Sequence, residues 1–91
     1  MQPATEQQHL VMVVDDDPLV TEFVRLRLEM EGFAVDVAHN AEDALAAALR
    51  RPPHLFLLDV AMPEINGVTL LRRLKVEKRL KDAPALMITA S

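Results

Sequence analysis

The chain has 91 residues, of which 51% are hydrophobic, and a formal net charge of −4. That length fits one small domain, and the negative charge does not favour nucleic acid as a partner. Cysteine is absent, which excludes disulfide bonds and thiolate zinc sites and is consistent with a reducing cytoplasm. The apolar runs are too short for a membrane-spanning helix, so no membrane partner is expected. Residues 1–9 are polar, and we expect a disordered leader there and a folded domain over residues 10–91.

The first half of the chain predicts a strand, a helix and a second strand. Residues 10–14 are all apolar and predict the first strand. Asp17-Pro18 is typical of a helix start, because aspartate caps free N–H groups and proline fits the first turn. The helix is predicted to run to about Glu31 and to stop at Gly32. Its apolar residues recur every three or four positions, at Leu19, Phe23, Leu26 and Met30, with Val20 and Val24 beside them. Residues 33–37 predict the second strand.

The second half repeats this alternation. Asn40, with Asp43 three residues later, predicts the capped start of a second helix, which Pro52-Pro53 ends. Residues 54–59 predict a third strand, and its continuous apolar run predicts burial on both faces of a sheet. A third helix is predicted after Gly67 and a fourth strand over residues 85–88. Strands that alternate with helices in this way predict an α/β fold with a parallel sheet and right-handed crossovers.

Acidic residues follow two of the predicted strands. Asp59 ends the third strand, and Asp15-Asp16-Asp17 follows the first. Ligands bind at the carboxyl ends of the strands in open α/β sheets. If these strands are neighbours, at least three carboxylates meet there, and their repulsion requires a cation or a proton. Oxygen ligands of this kind predict a divalent metal site, with Mg²⁺ as the preferred ion, whereas Asp17 is better explained as the helix cap.

Three motifs together resemble the receiver domain of two-component response regulators, over residues 10–91. They are Val13-Val14-Asp15-Asp16-Asp17-Pro18, then Leu57-Leu58-Asp59-Val60-Ala61-Met62-Pro63-Glu64-Ile65-Asn66-Gly67, then Leu86-Met87-Ile88-Thr89-Ala90. Each motif alone is moderately specific, but the three in this order, each at the end of a strand, are highly specific. The resemblance implies a signalling domain that takes up a phosphoryl group, not an enzyme that turns over a substrate.

The resemblance also implies a role for each matching residue. Asp59 would accept the phosphoryl group from a phosphohistidine of a histidine kinase or phosphotransfer protein. Asp16 would bind Mg²⁺ directly, Asp15 would bind it through water, and the backbone carbonyl of Ala61 would be a further ligand. Thr89 would donate its hydroxyl to a phosphoryl oxygen and so sense the phosphorylated state.

One departure from the family concerns the end of the chain. The family's domain normally continues with a fourth helix, a fifth strand that carries a lysine, and a fifth helix. The resemblance therefore implies a flavodoxin-like doubly wound sheet of order 2-1-3-4, truncated after the fourth strand. Strand four would lie at an edge, and helix one alone would cover one face of the sheet. A homodimer would pair the free edge of strand four with a second copy or cover the exposed sheet face.

Two alternative functions remain open on the sequence. Without the lysine strand, the domain could be a phosphorylation-independent remnant receiver that acts as an interaction module. Alternatively, Asp15-x-Asp17 and a later threonine resemble the first motifs of haloacid-dehalogenase-type phosphatases, in which the first aspartate attacks phosphorus and the second is the acid/base. Pro18 directly after Asp17 counts against this phosphatase fragment.

Overall fold

The structure, a computed structural model, describes residues 8–59 and 67–88. Within them it has seven helices and strands in the predicted order, and the ends that the sequence predicted lie within one or two residues of the observed ones; no end was predicted for the third helix. They are β1 Leu10–Val14, α1 Pro18–Met30, β2 Ala34–Ala38, α2 Ala41–Arg50, β3 Leu55–Asp59, α3 Gly67–Val76 and β4 Ala85–Ile88. No helix in the described ranges is both long and apolar enough to cross a membrane.

The strands form one parallel sheet in the order β2-β1-β3-β4. This confirms the predicted flavodoxin-like order, in which β1 and β3 are neighbours at the centre. The register places Val14 opposite both Ala38 and Leu58, so the carboxyl ends of the three strands are level. The residues that follow these strands therefore begin at one rim of the sheet.

Local signals explain the helix ends. The Asp17 side chain accepts a hydrogen bond of 2.9 Å from the backbone N–H of Leu19, as an N-cap does. Gly32 has φ of 97°, the left-handed conformation that glycine adopts without a steric cost after a helix. Asn40 caps α2 by accepting a 2.8 Å bond from the N–H of Asp43. The three boundaries predicted from these residues are confirmed.

The main core lies between one face of the sheet and helices α2 and α3. Its members are Met12, Val14, Ala38, Ala41, Ala44, Ala48, Phe56, Leu58, Leu70, Leu74 and Leu80. Helix α2 contributes only alanines to the fully buried set, so its backbone lies close to the strands. This packing fixes the position of the α2 N-terminus beside the rim.

The opposite face of the sheet is covered unevenly, because α1 packs on β1 and β2. All five residues of β1 are buried. The prediction that β3 is buried on both faces is only half right: Phe56 and Leu58 are buried, whereas Leu55 and Leu57 are half-buried. On β4, Leu86 is 57% exposed. As the sequence suggested, β3 and β4 are less covered on this face than β1.

Helix α1 departs from the simple amphipathic pattern. Its side toward the sheet is formed by Val20, Thr21, Val24 and Leu28, all buried or half-buried. The four residues whose periodicity marked the helix are instead exposed: Leu19, Phe23, Leu26 and Met30. The helical period of the pattern is therefore correct, but the strip that the pattern marks is not the one that faces the sheet, because the helix carries two separate apolar strips.

Candidate metal and phosphoryl site

The register of the sheet brings two acidic segments together. Val14 pairs with Leu58, so Asp15, the residue after β1, and Asp59, the last residue of β3, lie at the same level of neighbouring strands. Parallel strands present their carboxyl ends on one edge, which is where ligands bind in such sheets. Sequence adjacency to the strand ends is thus sufficient to place these two carboxylates side by side.

Asp16 completes the group. Asp15, Asp16 and Asp59 each offer a carboxylate oxygen, and these oxygens lie within 4.8 Å of one another. Asp15 and Asp59 are each 8% exposed, whereas Asp16 is open to solvent. Within the described ranges it is the only cluster of three or more carboxylate, histidine or cysteine side chains with spacing that suits a metal ion. The structure thus brings together the three aspartates predicted to form the metal site.

Backbone hydrogen bonds hold Asp15 in place. Its N–H donates to the carbonyl of Ala38 at 3.1 Å, and its Oδ1 accepts the N–H of Asp17 at 2.9 Å. Burial raises the pKa of the Asp15 carboxyl above the usual aspartate value, and the charges of Asp59 and Asp16 add to that increase. The hydrogen bond from Asp17 opposes it.

The donor set suits a hard divalent cation. Three carboxylate oxygens provide negative charge and oxygen ligands, which Mg²⁺ and Ca²⁺ prefer over nitrogen or sulfur. Two of the carboxylates are buried with like charge, so a cation bound between them would remove a repulsion that the folded protein otherwise carries. The cluster can therefore hold a metal ion.

Asp17 has a different task from its two neighbours. Its carboxylate accepts the N–H of Leu19 and caps α1, as the Asp-Pro sequence predicted. The phosphatase alternative required Asp17 as the acid/base partner of Asp15. A carboxylate occupied as a helix cap does not favour that role.

The structure also shows a contact between two residues that the sequence analysis did not single out. Thr21, buried in the first turns of α1, donates its hydroxyl to the carbonyl of Pro18 at 3.0 Å. His39 Nε2 lies 3.0 Å from the same hydroxyl oxygen. Since the single proton of Thr21 is committed to Pro18, the histidine is the donor in the second contact. The pair ties the β2–α2 connection to the start of α1. The position of His39 directly after β2 was the available signal.

Two predicted site residues, Ala61 and Thr89, lie outside the described residues. Their roles as a carbonyl ligand and as the hydroxyl donor stay predictions.

Sequence comparison with known proteins matches this chain to response regulators. The family model for the response regulator receiver domain matches residues 11–91. The chain is 36% identical to the DNA-binding dual master transcriptional regulator RpaA of Synechocystis over 80 residues, which are 88% of this chain and 33% of RpaA. It is 38% identical over 80 residues to the phosphate regulon transcriptional regulatory protein PhoB of Pseudomonas aeruginosa, covering 88% of this chain and 35% of PhoB. The chain thus spans about a third of the length of these relatives.

Solved structures agree with the sequence comparison. The N-terminal domain of a response regulator receiver protein from Methanoculleus marisnigri superposes with a TM-score of 0.88 at 34% identity, over 93% of this chain and 69% of that one. The chemotaxis protein CheY4 of Vibrio cholerae superposes with a TM-score of 0.90 at 27% identity, over 93% of this chain and 71% of that one.

Proposed function

The chain belongs to the response regulator receiver family, and from that premise we propose that Asp59 accepts a phosphoryl group from a histidine kinase or phosphotransfer protein. One observation carries the assignment of the residue. Asp59 ends a central strand of the sheet and is 8% exposed, with the carboxylates of Asp15 and Asp16 within 4.8 Å. A nucleophile placed among metal-binding carboxylates suits phosphoryl transfer.

The proposed reaction is a single displacement. A carboxylate oxygen of Asp59 bonds to phosphorus, the bond from phosphorus to the partner's imidazole nitrogen breaks, and that nitrogen keeps the electron pair. Asp15, Asp16 and Asp59 would hold Mg²⁺, with Asp16 as a direct ligand and Asp15 binding through water. When bound, the ion offsets the charge that three carboxylates and a phosphoryl group bring together.

Further parts of the proposal rest on the family resemblance. The carbonyl of Ala61 is proposed as an additional metal ligand, and Thr89 as the hydroxyl that senses the phosphoryl group. We place this signalling step in the cytoplasm, as the lack of cysteine and the family suggest. The domain would then act by being modified, not by turning over a substrate.

Labelling with a small phosphodonor tests the proposal. The chain is incubated with acetyl phosphate and Mg²⁺, and intact mass and peptide mapping locate the adduct. We expect one phosphoryl group on Asp59, none in Asp59→Asn and less in Asp15→Asn. Asp17→Asn is the matched control, because asparagine also caps helices, and should label like the parent.

Each other outcome supports a different function. If Asp59→Asn labels as well as the parent, the assignment of the phosphoacceptor is wrong. If the adduct lies on Asp15, the phosphatase alternative is favoured. A folded chain that binds its partner but never labels would be the phosphorylation-independent interaction module.

We also propose that β4 can take part in self-association. It is one of the two edge strands of the described sheet, and Leu86 is exposed on it. Apolar edge strands are prone to pair with other chains. Leu86→Lys should weaken such pairing, measured by sedimentation equilibrium, whereas an unchanged association would exclude this edge.

A further inference from the structure

Hydrogen bonds hold the loop between β1 and α1 at both of its ends. This loop, which we call the acidic loop, consists of Asp15, Asp16 and Asp17. At its start, the N–H of Asp15 donates to the carbonyl of Ala38, the last residue of β2, at 3.1 Å. At its end, the N–H of Asp17 donates to Oδ1 of Asp15 at 2.9 Å. The loop is thus bonded to the neighbouring strand and to itself.

Thr21 and His39 join these two ends into a closed hydrogen-bonded circuit. The backbone N–H of Thr21 donates to the carbonyl of Asp17 at 3.1 Å, and the Thr21 hydroxyl lies 3.0 Å from Nε2 of His39. His39 directly follows Ala38, so the path of bonds that leaves the acidic loop at Asp17 returns to it at Asp15. Of the four hydrogen bonds in this circuit, the contact between Thr21 and His39 is the only one between two side chains.

This contact requires a donor on the side chain at position 39. Thr21 is 2% exposed, and its hydroxyl donates its proton to the carbonyl of Pro18 at 3.0 Å. The hydroxyl oxygen therefore accepts from His39, whose imidazole carries a proton on Nε2. A glutamine amide offers a donor with a similar reach, whereas alanine offers none.

The circuit opposes a repulsion within the acidic site. Asp15 and Asp59 are each 8% exposed, and their carboxylate oxygens lie within 4.8 Å of each other. In the metal-free protein, movement of the acidic loop away from Asp59 would relieve this repulsion. The bonds at both ends of the loop resist that movement. The carboxylates are therefore held together by the fold before an ion binds, and a site organised in advance binds more tightly.

We propose that Thr21 and His39 are positioning residues that raise the affinity of the acidic site for Mg²⁺ by holding the acidic loop in its metal-binding geometry. The inference rests on the proposed metal site, whose candidate ligands are Asp15, Asp16 and Asp59. Removing a residue that orients a metal ligand directly weakens metal binding by about 10–100-fold. Thr21 and His39 act one step further out, through the backbone of the loop, so we expect a loss of about 3–10-fold.

Mg²⁺ titration of the whole chain, followed by the NMR shifts of its amides, tests the proposal. His39→Ala and Thr21→Val should each raise the Mg²⁺ dissociation constant by about 3–10-fold. The double variant should bind within about twofold of the weaker single variant, because both substitutions break the same contact. His39→Gln keeps the donor and Thr21→Ser keeps the hydroxyl, so both should bind within about twofold of the parent.

His54→Ala is the matched control. His54 is also an exposed histidine, but it lies at the opposite end of the sheet, where its Nδ1 accepts the N–H of Leu10 at 2.8 Å. This substitution removes a hydrogen bond and should lower the free energy of unfolding, as His39→Ala does. It leaves the acidic loop intact, so the Mg²⁺ dissociation constant should stay within about twofold of the parent value.

A second measurement needs no metal. In EDTA, the N–H of Asp15 should exchange with solvent faster in His39→Ala than in the parent, because the circuit that holds it is open. His54→Ala should accelerate this exchange less than His39→Ala does. Circular dichroism of each variant checks that the helices remain formed.

Three results would overturn the inference and leave the phosphoacceptor proposal intact, since the parent would still bind Mg²⁺ and label on Asp59. They are a His39→Ala chain that binds Mg²⁺ as tightly as the parent, an equal loss in His54→Ala, and a His39→Gln chain that binds as weakly as His39→Ala. A parent chain that binds no Mg²⁺, or binds it as tightly after Asp16→Asn, would overturn the proposed metal site and this inference with it.

Discussion

Replacing Asp15 by asparagine should stabilise the protein when no divalent metal is present. Carboxylate oxygens of Asp15 and Asp59 lie within 4.8 Å, and both residues are 8% exposed. Two unit charges at that distance repel by roughly 3.5 kcal/mol at an effective dielectric constant of about 20, and by roughly 0.9 kcal/mol in water. Asparagine removes this repulsion and keeps an oxygen for the N–H of Asp17. We therefore expect the free energy of unfolding to rise by about 1–3 kcal/mol at neutral pH.

The effect should depend on pH in a defined direction. The pKa of Asp15 is raised in the folded protein, first by burial and then by the neighbouring charges. A group with a raised pKa favours folding below its unfolded pKa, and that contribution is lost as the pH rises through the folded value. Asp15→Asn should thus exceed the parent in stability at neutral pH, and the difference should shrink toward acid pH, where Asp15 is protonated.

Urea denaturation followed by circular dichroism in EDTA measures this difference, from the shift of the midpoint at constant slope. Asp16→Asn is the matched control, because Asp16 is exposed and its removal should change stability by less than about 1 kcal/mol. Mg²⁺ at about 10–100 times its dissociation constant should stabilise the parent by roughly 1.4–2.7 kcal/mol and Asp15→Asn by less. A less stable Asp15→Asn in EDTA, or an equal gain from Mg²⁺ in both proteins, would refute the reasoning.

Three further changes follow from packing and hydrogen bonding. Asp17→Ala removes the cap of α1 and should cost about 1 kcal/mol in urea denaturation, whereas Asp17→Ser should cost less; equal losses would contradict the capping role. Leu74→Ala opens a cavity in the buried core and should lower the free energy of unfolding by about 2–5 kcal/mol. The control Val76→Ala, at an exposed position, should cost less than about 0.5 kcal/mol, and similar losses at the two sites would be inconsistent with the core described. Thr21→Val removes the hydrogen bonds of the Thr21 hydroxyl to Pro18 and His39 and should lower stability by about 0.5–1.5 kcal/mol; in the His39→Ala background the loss should be smaller, because only the bond to Pro18 remains to be removed, and an equal loss in both backgrounds would contradict the contact with His39.

Sequence reasoning succeeded where local chemistry decides. Asp17-Pro18, Gly32 and Asn40 act through hydrogen bonds and dihedral angles within a few residues, so they determined helix ends without knowledge of the fold. The acidic site followed from a topological rule, because the carboxyl ends of neighbouring parallel strands always meet.

The orientation of α1 was harder to predict, since two apolar strips share one helix. Periodicity measures the angle between residues but does not say which strip meets the sheet. The outer strip has four apolar residues, from Leu19 to Met30, whereas the sheet-facing strip has three, Val20, Val24 and Leu28. The outer strip was therefore the stronger signal in the sequence. His39 was likewise missed, because its contact with Thr21 joins residues on different elements.

The alanine surface of α2 has a consequence for how this domain can vary in evolution. Ala44 and Ala48 have no exposed surface and lie against the sheet, so any larger side chain there would displace the helix. The N-cap of this helix, Asn40, lies two residues after Ala38, whose carbonyl accepts the backbone N–H of Asp15. A mutation such as Ala44→Leu would therefore reach the acidic site through a shift of the main chain. Selection on the chemistry of the site would then restrict these alanines even though they touch no ligand.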